Sequence, residues 1–312
     1  MNLNKLILSI ASAGLAAVLT LSPSMARATN INFTVVRTIG TFNSLAADPA
    51  TGYLYDYTYY GVGSETMDVY HTAAALAAGT PSSTVALAGG YYGTYIAANK
   101  GILYGRTSTA TTSSGTWSLS TGAQLSTSSG FSGMAPTSFN WGGNSGVAFM
   151  QDSTGTYVFG NSSANSNDWL LEHLGTGLTP TSTEIYNAGS SSLGYAFVIN
   201  GELFVGSSYS SNSITHEMNV NTGVVTPISD TLLGLNTTGS YYLSDFTYDQ
   251  FTNTLYAFDT NTSTLYEATN ASTQFGAPST SSSAVPTPEV LELFAFSLLG
   301  LAFLRKKQLL VA

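Results

Sequence analysis

Short stretches of alternating apolar and polar residues, each ending in a turn signal, run through the middle of the chain. Alternation with a period of two is typical of strands with one face towards solvent. One pattern, Gly or Asn, any residue, Leu or Ala, then Tyr or Phe, occurs five times. The copies are Gly52–Tyr55, Gly101–Tyr104, Gly146–Phe149, Gly201–Phe204 and Asn253–Tyr256. Their aromatic residues are 49, 45, 55 and 52 positions apart, which indicates a repeat of about fifty residues.

The surroundings of each copy repeat as well. A short strand ends in a turn upstream, as in Phe246–Asp249, and a second turn follows downstream, as in Ser120–Gly122 and Asn221–Gly223. Asn, Asp and Gly tolerate the left-handed conformations that tight hairpins need. Four short antiparallel strands in each repeat predict an all-β fold, a β-propeller of about five four-stranded blades. The predicted blades are 40–89, 90–133, 134–189, 190–239 and 240–279.

Closure of the ring is assigned to a strand near the start of the chain. We predict that Phe33–Arg37 adds to the last blade, because a closed ring leaves no long sheet edge exposed. Two alternatives remain at this stage, a sixth blade within the long third repeat and a sandwich of two sheets.

The first 28 residues have the pattern of a signal peptide. Lys5 precedes an apolar run, Leu6–Leu21, and small residues at Ala26 and Ala28 come immediately before Thr29. We expect cleavage between Ala28 and Thr29. The alternative is an uncleaved anchor helix, although the run is shorter than the roughly 20 residues that span a bilayer.

A second hydrophobic segment stands near the end of the chain. The motif before it consists of Val285, Pro286, Thr287, Pro288 and Glu289, and the basic residues after it are Arg305, Lys306 and Lys307. The proline-rich motif predicts a stiff linker, and the apolar run predicts a short membrane helix. The basic cluster is expected to stay on the cytoplasmic side.

This arrangement resembles the PEP-CTERM sorting tail of bacterial exported proteins, over residues 285–307 only. Pro286 and Pro288 match the two prolines of that motif, whereas Thr287 stands where the family has Glu. The resemblance implies processing by an exosortase-type enzyme, a transient tether in the inner membrane, and association with the outer surface and exopolysaccharide. A plain C-terminal anchor is the alternative.

The chain is therefore predicted to consist of four segments, with hydrophobic helices on both sides of the propeller. They are the signal peptide 1–28, the propeller-like domain 29–278, a Ser- and Pro-rich linker with the sorting motif 279–289, and a hydrophobic helix with a basic tail 290–312.

Composition excludes several classes of partner and chemistry. Charged residues make up 8% of the chain, against about 25% in typical domains. Between residues 29 and 284 three basic residues, Arg37, Lys100 and Arg106, face fifteen acidic ones, a net charge of −12. This charge repels nucleic acid. The absence of cysteine rules out disulfides and thiolate chemistry.

No strong catalytic motif is present in the sequence. The histidines, His71, His173 and His216, belong to three different repeats and lack the spacing of a metal pair. There is no Gly-x-Ser-x-Gly motif and no phosphate-binding glycine loop before a helix. We therefore predict no catalytic, cofactor-binding or metal-binding residue, and a protein that is not an enzyme.

Two groups of acidic residues leave a cation site open as an alternative. Asp259–Ser263 carries alternate oxygen side chains, but it lacks the remaining EF-hand residues and is expected to be a hairpin turn. Asp48, Asp249 and Asp152 lie near the inner hairpins of their repeats, where several carboxylates around one mouth of the ring could bind a cation.

The sequence favours an exported surface or matrix protein that binds polysaccharide or protein through the propeller. Its nineteen Tyr, together with Trp117, Trp141 and Trp169, offer aromatic surfaces on which sugars could stack, although Tyr also simply suits strands. The alternatives are a lactonase-like propeller hydrolase or lyase with an axial metal, and a purely structural surface protein.

Overall fold

The computed structural model describes residues 30–39, 43–58, 65–89, 95–107, 112–136, 138–139, 146–189, 192–235 and 242–276. The predicted signal peptide, sorting motif and basic tail lie outside these ranges, as do both predicted hydrophobic helices. In the described ranges, every helix is too short or too polar to cross a bilayer.

Two strands, β1 (Asn30–Asn32) and β2 (Thr34–Thr38), precede the repeats. Blade 1 consists of β3 (Asn43–Ala47), β4 (Leu54–Thr58), β5 (Thr66–Tyr70) and β6 (Ser83–Ala86), with helix α1 (Ala73–Ala78) between the last two. Blade 2 consists of β7 (Ala97–Asn99), β8 (Ile102–Arg106), β9 (Ser114–Ser118) and β10 (Gln124–Ser128).

Blade 3 consists of β11 (Ala148–Asp152), β12 (Gly155–Asn161), β13 (Asp168–Leu174) and β14 (Pro180–Asn187). Blade 4 consists of β15 (Tyr195–Ile199), β16 (Glu202–Gly206), β17 (Ser213–Asn219) and β18 (Val225–Leu233). Blade 5 is built from β19 (Leu243–Asp249), β20 (Thr254–Asp259) and β21 (Thr264–Thr269), after which comes helix α2 (Ala271–Gln274).

The strands form five antiparallel sheets in a propeller-like arrangement, which confirms the prediction of five all-β blades. The first strand of each blade packs against the first strands of neighbouring blades, so these strands surround the axis. Each predicted blade range contains at least three strands of one sheet. The separate sixth blade and the two-sheet sandwich are not observed among the described residues.

The start of the described chain closes the ring. β2 pairs antiparallel with β21 and becomes the fourth strand of blade 5, which confirms the closure predicted for Phe33–Arg37. β1 pairs in parallel with β18, so blade 4 has five strands instead of the four predicted. Residues 30–38 therefore connect the outer edges of two blades, and ring closure depends on them.

One copy of the sequence pattern lies at a different strand from the other four. Four copies begin the second strand of a blade, but Gly146–Phe149 leads into β11, the first strand of blade 3. The equivalent position in blade 3 is Gly155, at the start of β12. The four residues that begin at Gly155 end in Val158 instead of an aromatic residue. The pattern therefore matches the neighbouring strand in this blade.

Glycines allow the turn between the third and fourth strands of one blade to approach the outer strand of the preceding blade. Gly122 has φ +70°, and a Cβ there would lie 1.8 Å from the carbonyl oxygen of Ala86. Gly223 in blade 4 packs in the same way against Tyr186 of blade 3, where a Cβ would lie 2.3 Å from the ring. Only glycine combines this φ with such close contact.

Blade 1 uses helix α1 for the corresponding contact. Thr72 Oγ1 accepts the Ala75 N–H at the helix start, and Gly79 ends the helix with φ +65°. The Arg37 guanidinium of β2 packs against Gly79, where a Cβ would lie 2.6 Å from Nη1. This contact joins the closing strand of blade 5 to blade 1.

Candidate functional site

The turns between the first and second strands of the blades lie at the same end of the ring, here called the hairpin face. They span residues 48–53, 100–101, 153–154, 200–201 and 250–253. The positive φ angles of Lys100, Asn200 and Asn253 show why residues that tolerate the left-handed region recur in these turns.

Acidic residues at the ends of the first strands connect neighbouring blades. Asp48 of blade 1 accepts the backbone N–H groups of Lys100 and Gly101 of blade 2, both at 3.0 Å. Asp152 of blade 3 accepts the N–H of Gly201 of blade 4 at 2.6 Å. Asp48 and Asp152 are almost completely buried, and burial raises the pKa of Asp152. These carboxylates hold the blades together.

Asp249 has a local role in blade 5. It accepts the Phe251 N–H at 2.9 Å and the Thr252 hydroxyl at 2.6 Å, and so shapes its own turn. The described residues contain no group of three or more His, Cys, Asp or Glu side chains that could hold a metal ion. The structure does not bring Asp48, Asp152 and Asp249 together as a cation site.

A depression of about 240 Å³ opens on the hairpin face. It is lined by Pro49 and Ala50 of blade 1, Asn99 and Lys100 of blade 2, residues 152–155 of blade 3 and Gln250 of blade 5. Most of these side chains are small or carry amide and hydroxyl groups. The depression therefore offers several hydrogen-bonding groups on rigid turns from four blades.

An exposed aromatic ring lies beside the depression. Phe251 follows Gln250 in the chain and is 60% exposed, and its ring lies against Gly52, 3.0 Å from where a Cβ would stand. Gln250 Nε2 donates to the Pro49 carbonyl oxygen at 3.1 Å. These contacts place the Phe251 ring on the hairpin face, between the turn that carries Pro49 and Ala50 and the turn that carries Gln250.

Inside the ring, polar side chains form hydrogen bonds with backbone groups of the first strands. Gln151 Nε2 donates to the Ala47 carbonyl oxygen at 2.6 Å, and its Oε1 accepts the Ala98 N–H at 3.3 Å. The Thr247 hydroxyl donates to the Leu45 carbonyl oxygen at 2.6 Å. Backbone groups that would otherwise be buried without partners are thereby satisfied.

A second group of polar side chains lies in the interior at the first strands of blades 2, 4 and 5. Asp245 Oδ2 accepts the Leu45 N–H at 2.7 Å. Its Oδ1 and the hydroxyls of Tyr95 and Tyr195 make no hydrogen bond of normal geometry with described residues. All three side chains are at most 2% exposed, and Tyr95 adopts a left-handed φ of +66°.

Burial dominates the ionisation of this axial group. It raises the pKa of Asp245 to about 8, helped by the nearby Asp56, although backbone N–H groups lower it in part. Burial also raises the pKa of Tyr95 well above its usual range, and the charge of Asp245 adds to that effect. At neutral pH Asp245 is therefore mostly protonated.

The histidines do not come together. His71 is exposed and stacks on Tyr53, with 4.0 Å between ring centroids. His173 packs edge to face against Tyr157, and His216 does so against Trp169. They lie in blades 1, 3 and 4 and pack against aromatic rings.

The described tryptophans do not provide the expected sugar-stacking surface. Trp117 and Trp169 have no exposed area, and Trp141 lies outside the described residues. Phe251 could not be identified from the sequence, because an exposed phenylalanine in a turn has no distinguishing pattern. Asp259–Ser263 is a hairpin turn as expected, in which Asp259 Oδ1 accepts the Asn261 N–H at 3.0 Å.

Comparisons with known proteins give a limited result. No protein-family model and no curated protein matches the sequence. Among solved structures, the chain is similar to the glutaminyl cyclase of Myxococcus xanthus, with 14% identity, 77% of this chain and 97% of that chain covered, and a TM-score of 0.49. It is also similar to the computationally designed Ika8 protein, with 11% identity, 70% and 55% coverage, and a TM-score of 0.30.

The prediction that this chain is not an enzyme is contradicted by the first of these comparisons, because glutaminyl cyclase is an enzyme. The lack of a compact catalytic motif is not evidence against enzyme activity, because a catalytic site in a propeller can be assembled from turns of several blades. Such a site leaves no compact motif in the sequence. The similarity itself identifies no activity for this chain.

Proposed function

We propose that the protein is an exported, surface-associated propeller that binds polysaccharide at its hairpin face. The observation that carries this proposal is the polar depression, together with the exposed Phe251 ring next to Gln250 on the same face. Sugars are bound by the combination of an aromatic face for their C–H groups and amide or hydroxyl partners for their hydroxyls.

The individual side chains suit a ligand rich in hydroxyl groups. Asn99 Nδ2 donates to Thr156 Oγ1 at 2.8 Å, which fixes the direction of its amide. Gln250 is oriented by the bond from its Nε2 to the Pro49 carbonyl oxygen. Prepositioned amides lose little conformational entropy when a ligand binds.

Binding is tested with Phe251→Ala. We expect this variant to bind surface polysaccharide from the native host about tenfold more weakly, because one aromatic contact is lost. The measurement is a titration of purified protein against that polysaccharide. Ile185→Ala is the matched control, since Ile185 is also 60% exposed but lies on the outer strand of blade 3. Equal binding by both variants and the parent protein would remove the hairpin face from the proposal.

Export and sorting are the second part of the proposal and rest on the two ends of the sequence. The intact mass of the protein released from its host is expected to correspond to a chain that begins at Thr29 and ends between Pro286 and Glu289. Fractionation should place it at the outer surface or in the medium. A chain that still carries Arg305–Lys307 in the membrane fraction would instead indicate a permanent anchor.

A propeller enzyme, a hydrolase or lyase, is the second candidate. The group that would serve it is Asp245, whose carboxyl is protonated at neutral pH, but at 2% exposure it could act as a general acid only on a substrate that enters the ring. The axial metal of this alternative has no cluster of acidic or histidine ligands among the described residues. New reducing ends or unsaturated products from a bound polysaccharide, lost in Asp245→Asn, would support it. A polysaccharide that is bound but unchanged would count against it.

A further inference from the structure

We infer that the depression on the hairpin face prefers a sugar that carries a carboxylate, such as a uronic acid unit, and that the ammonium group of Lys100 recognises it. This inference rests on the proposed polysaccharide binding and specifies the class of ligand. It follows from the distribution of accessible charge and from the surroundings of Lys100.

Lys100 has an unusual position in an acidic protein. The full chain carries a net charge of −9, and three basic residues lie in the described part of the structure, Arg37, Lys100 and Arg106. Arg37 is paired with Asp56, and Arg106 has no exposed area. Within the described residues, Lys100 is therefore the exposed cationic side chain, and it lines the depression.

The two carboxylates near Lys100 accept backbone N–H groups, and neither is paired with the Lys100 ammonium. Asp48 is 0% exposed and Asp152 is 2% exposed. The oxygens of both accept backbone N–H groups, including those of Lys100 and Gly101 for Asp48 and that of Gly201 for Asp152. No ion pair or hydrogen bond of the Lys100 ammonium with a described residue is present, so a ligand meets an accessible positive charge.

The other lining residues provide hydrogen-bonding groups for the hydroxyls of one sugar unit. Amides of Asn99 and Gln250 and the hydroxyl groups of Ser153 and Thr154 surround the position of Lys100. An ammonium group binds a carboxylate as a compact point charge with freely rotating donors. A carboxylate on the sugar can therefore reach Lys100 while the ring hydroxyls meet the neutral side chains.

The test compares two ligands that differ only in charge. A hexuronic acid oligomer and the neutral hexose oligomer of the same linkage and length are titrated separately against the purified protein. We expect the acidic oligomer to bind about three- to fivefold more tightly, which is the range for an exposed ion pair. The preference should shrink in 0.5 M salt, because screening weakens the pair.

Variants of Lys100 separate this inference from the proposed function. Lys100→Met should remove the difference in affinity between the two oligomers, whereas Lys100→Arg should retain it. Phe251→Ala should weaken binding of both oligomers. Equal affinity of the parent protein for the two oligomers, or a preference that persists in Lys100→Met, would overturn the inference alone. Binding of neither oligomer would also overturn the proposed polysaccharide site.

Discussion

Replacing Arg37 with methionine is expected to lower the free energy of unfolding by about 3–5 kcal/mol, because it leaves Asp56 buried without its counter-charge. Arg37 Nη2 lies 2.7 Å from Asp56 Oδ2, with side-chain exposures of 16% and 4%. It also donates to the Tyr70 hydroxyl at 3.2 Å. Arg37 belongs to β2 and its partners belong to blade 1, so the pair holds the ring closed where its two ends meet. Urea unfolding measures the change.

The double variant Arg37→Met/Asp56→Asn is the control for this prediction. Removing both charges takes away the isolated carboxylate, so a large part of the lost stability should return. If the single variant unfolds at the same urea concentration as the parent protein, the ion pair does not contribute to ring closure. If the double variant is no more stable than the single one, the loss comes from packing against Gly79 instead of from charge.

The Asp245→Asn variant is expected to be more stable than the parent protein at alkaline pH and about equally stable near pH 4. The pKa of Asp245 is raised from 3.8 to about 8 in the folded protein. A group with a raised folded pKa contributes stability below its unfolded pKa, and that contribution is lost as the pH rises to the folded pKa. The difference in the free energy of unfolding between the two proteins should therefore grow between pH 4 and pH 8, to roughly 6 kcal/mol at most.

The asparagine side chain can retain the local contacts. Its oxygen can accept the Leu45 N–H, and its amide can donate to the nearby Tyr95 hydroxyl oxygen, which lacks a partner among the described residues. Thermal unfolding at unit steps from pH 4 to pH 9 measures the profile. Parallel curves for the two proteins would show that Asp245 does not titrate as the buried environment requires.

Glu172→Gln gives a comparison for this profile. Burial raises the pKa of Glu172, on β13 of blade 3, to about 7. The gain in stability from this substitution should therefore be complete near pH 7, whereas the gain from Asp245→Asn should continue to increase up to about pH 8. Two profiles with different end points would assign each effect to its own carboxyl group.

The sequence predicted features that depend on neighbouring residues. Alternation and turn residues predicted the strands and five blades, and the alternating segment at Phe33–Arg37 predicted the closing strand. The hairpin at Asp259–Ser263 could be predicted because Asp, Asn and Ser satisfy the turn within a few residues. The repeat failed at Gly146–Phe149, since Val158 occupies the aromatic position of blade 3 and the pattern then matched an adjacent strand.

The site could not be predicted because it is assembled from distant parts of the chain. Lys100, Gln250 and Asp152 meet around one depression only after four blades have packed together. Asp245 and Leu45 are 200 residues apart but share a hydrogen bond, and the burial that raises the pKa of Asp245 arises only in the closed ring. The sequence by itself determined the all-β repeats and their closure, because strands and turns are local. Tertiary structure alone decided which polar groups are buried, paired or exposed, because burial and charge depend on contacts between blades.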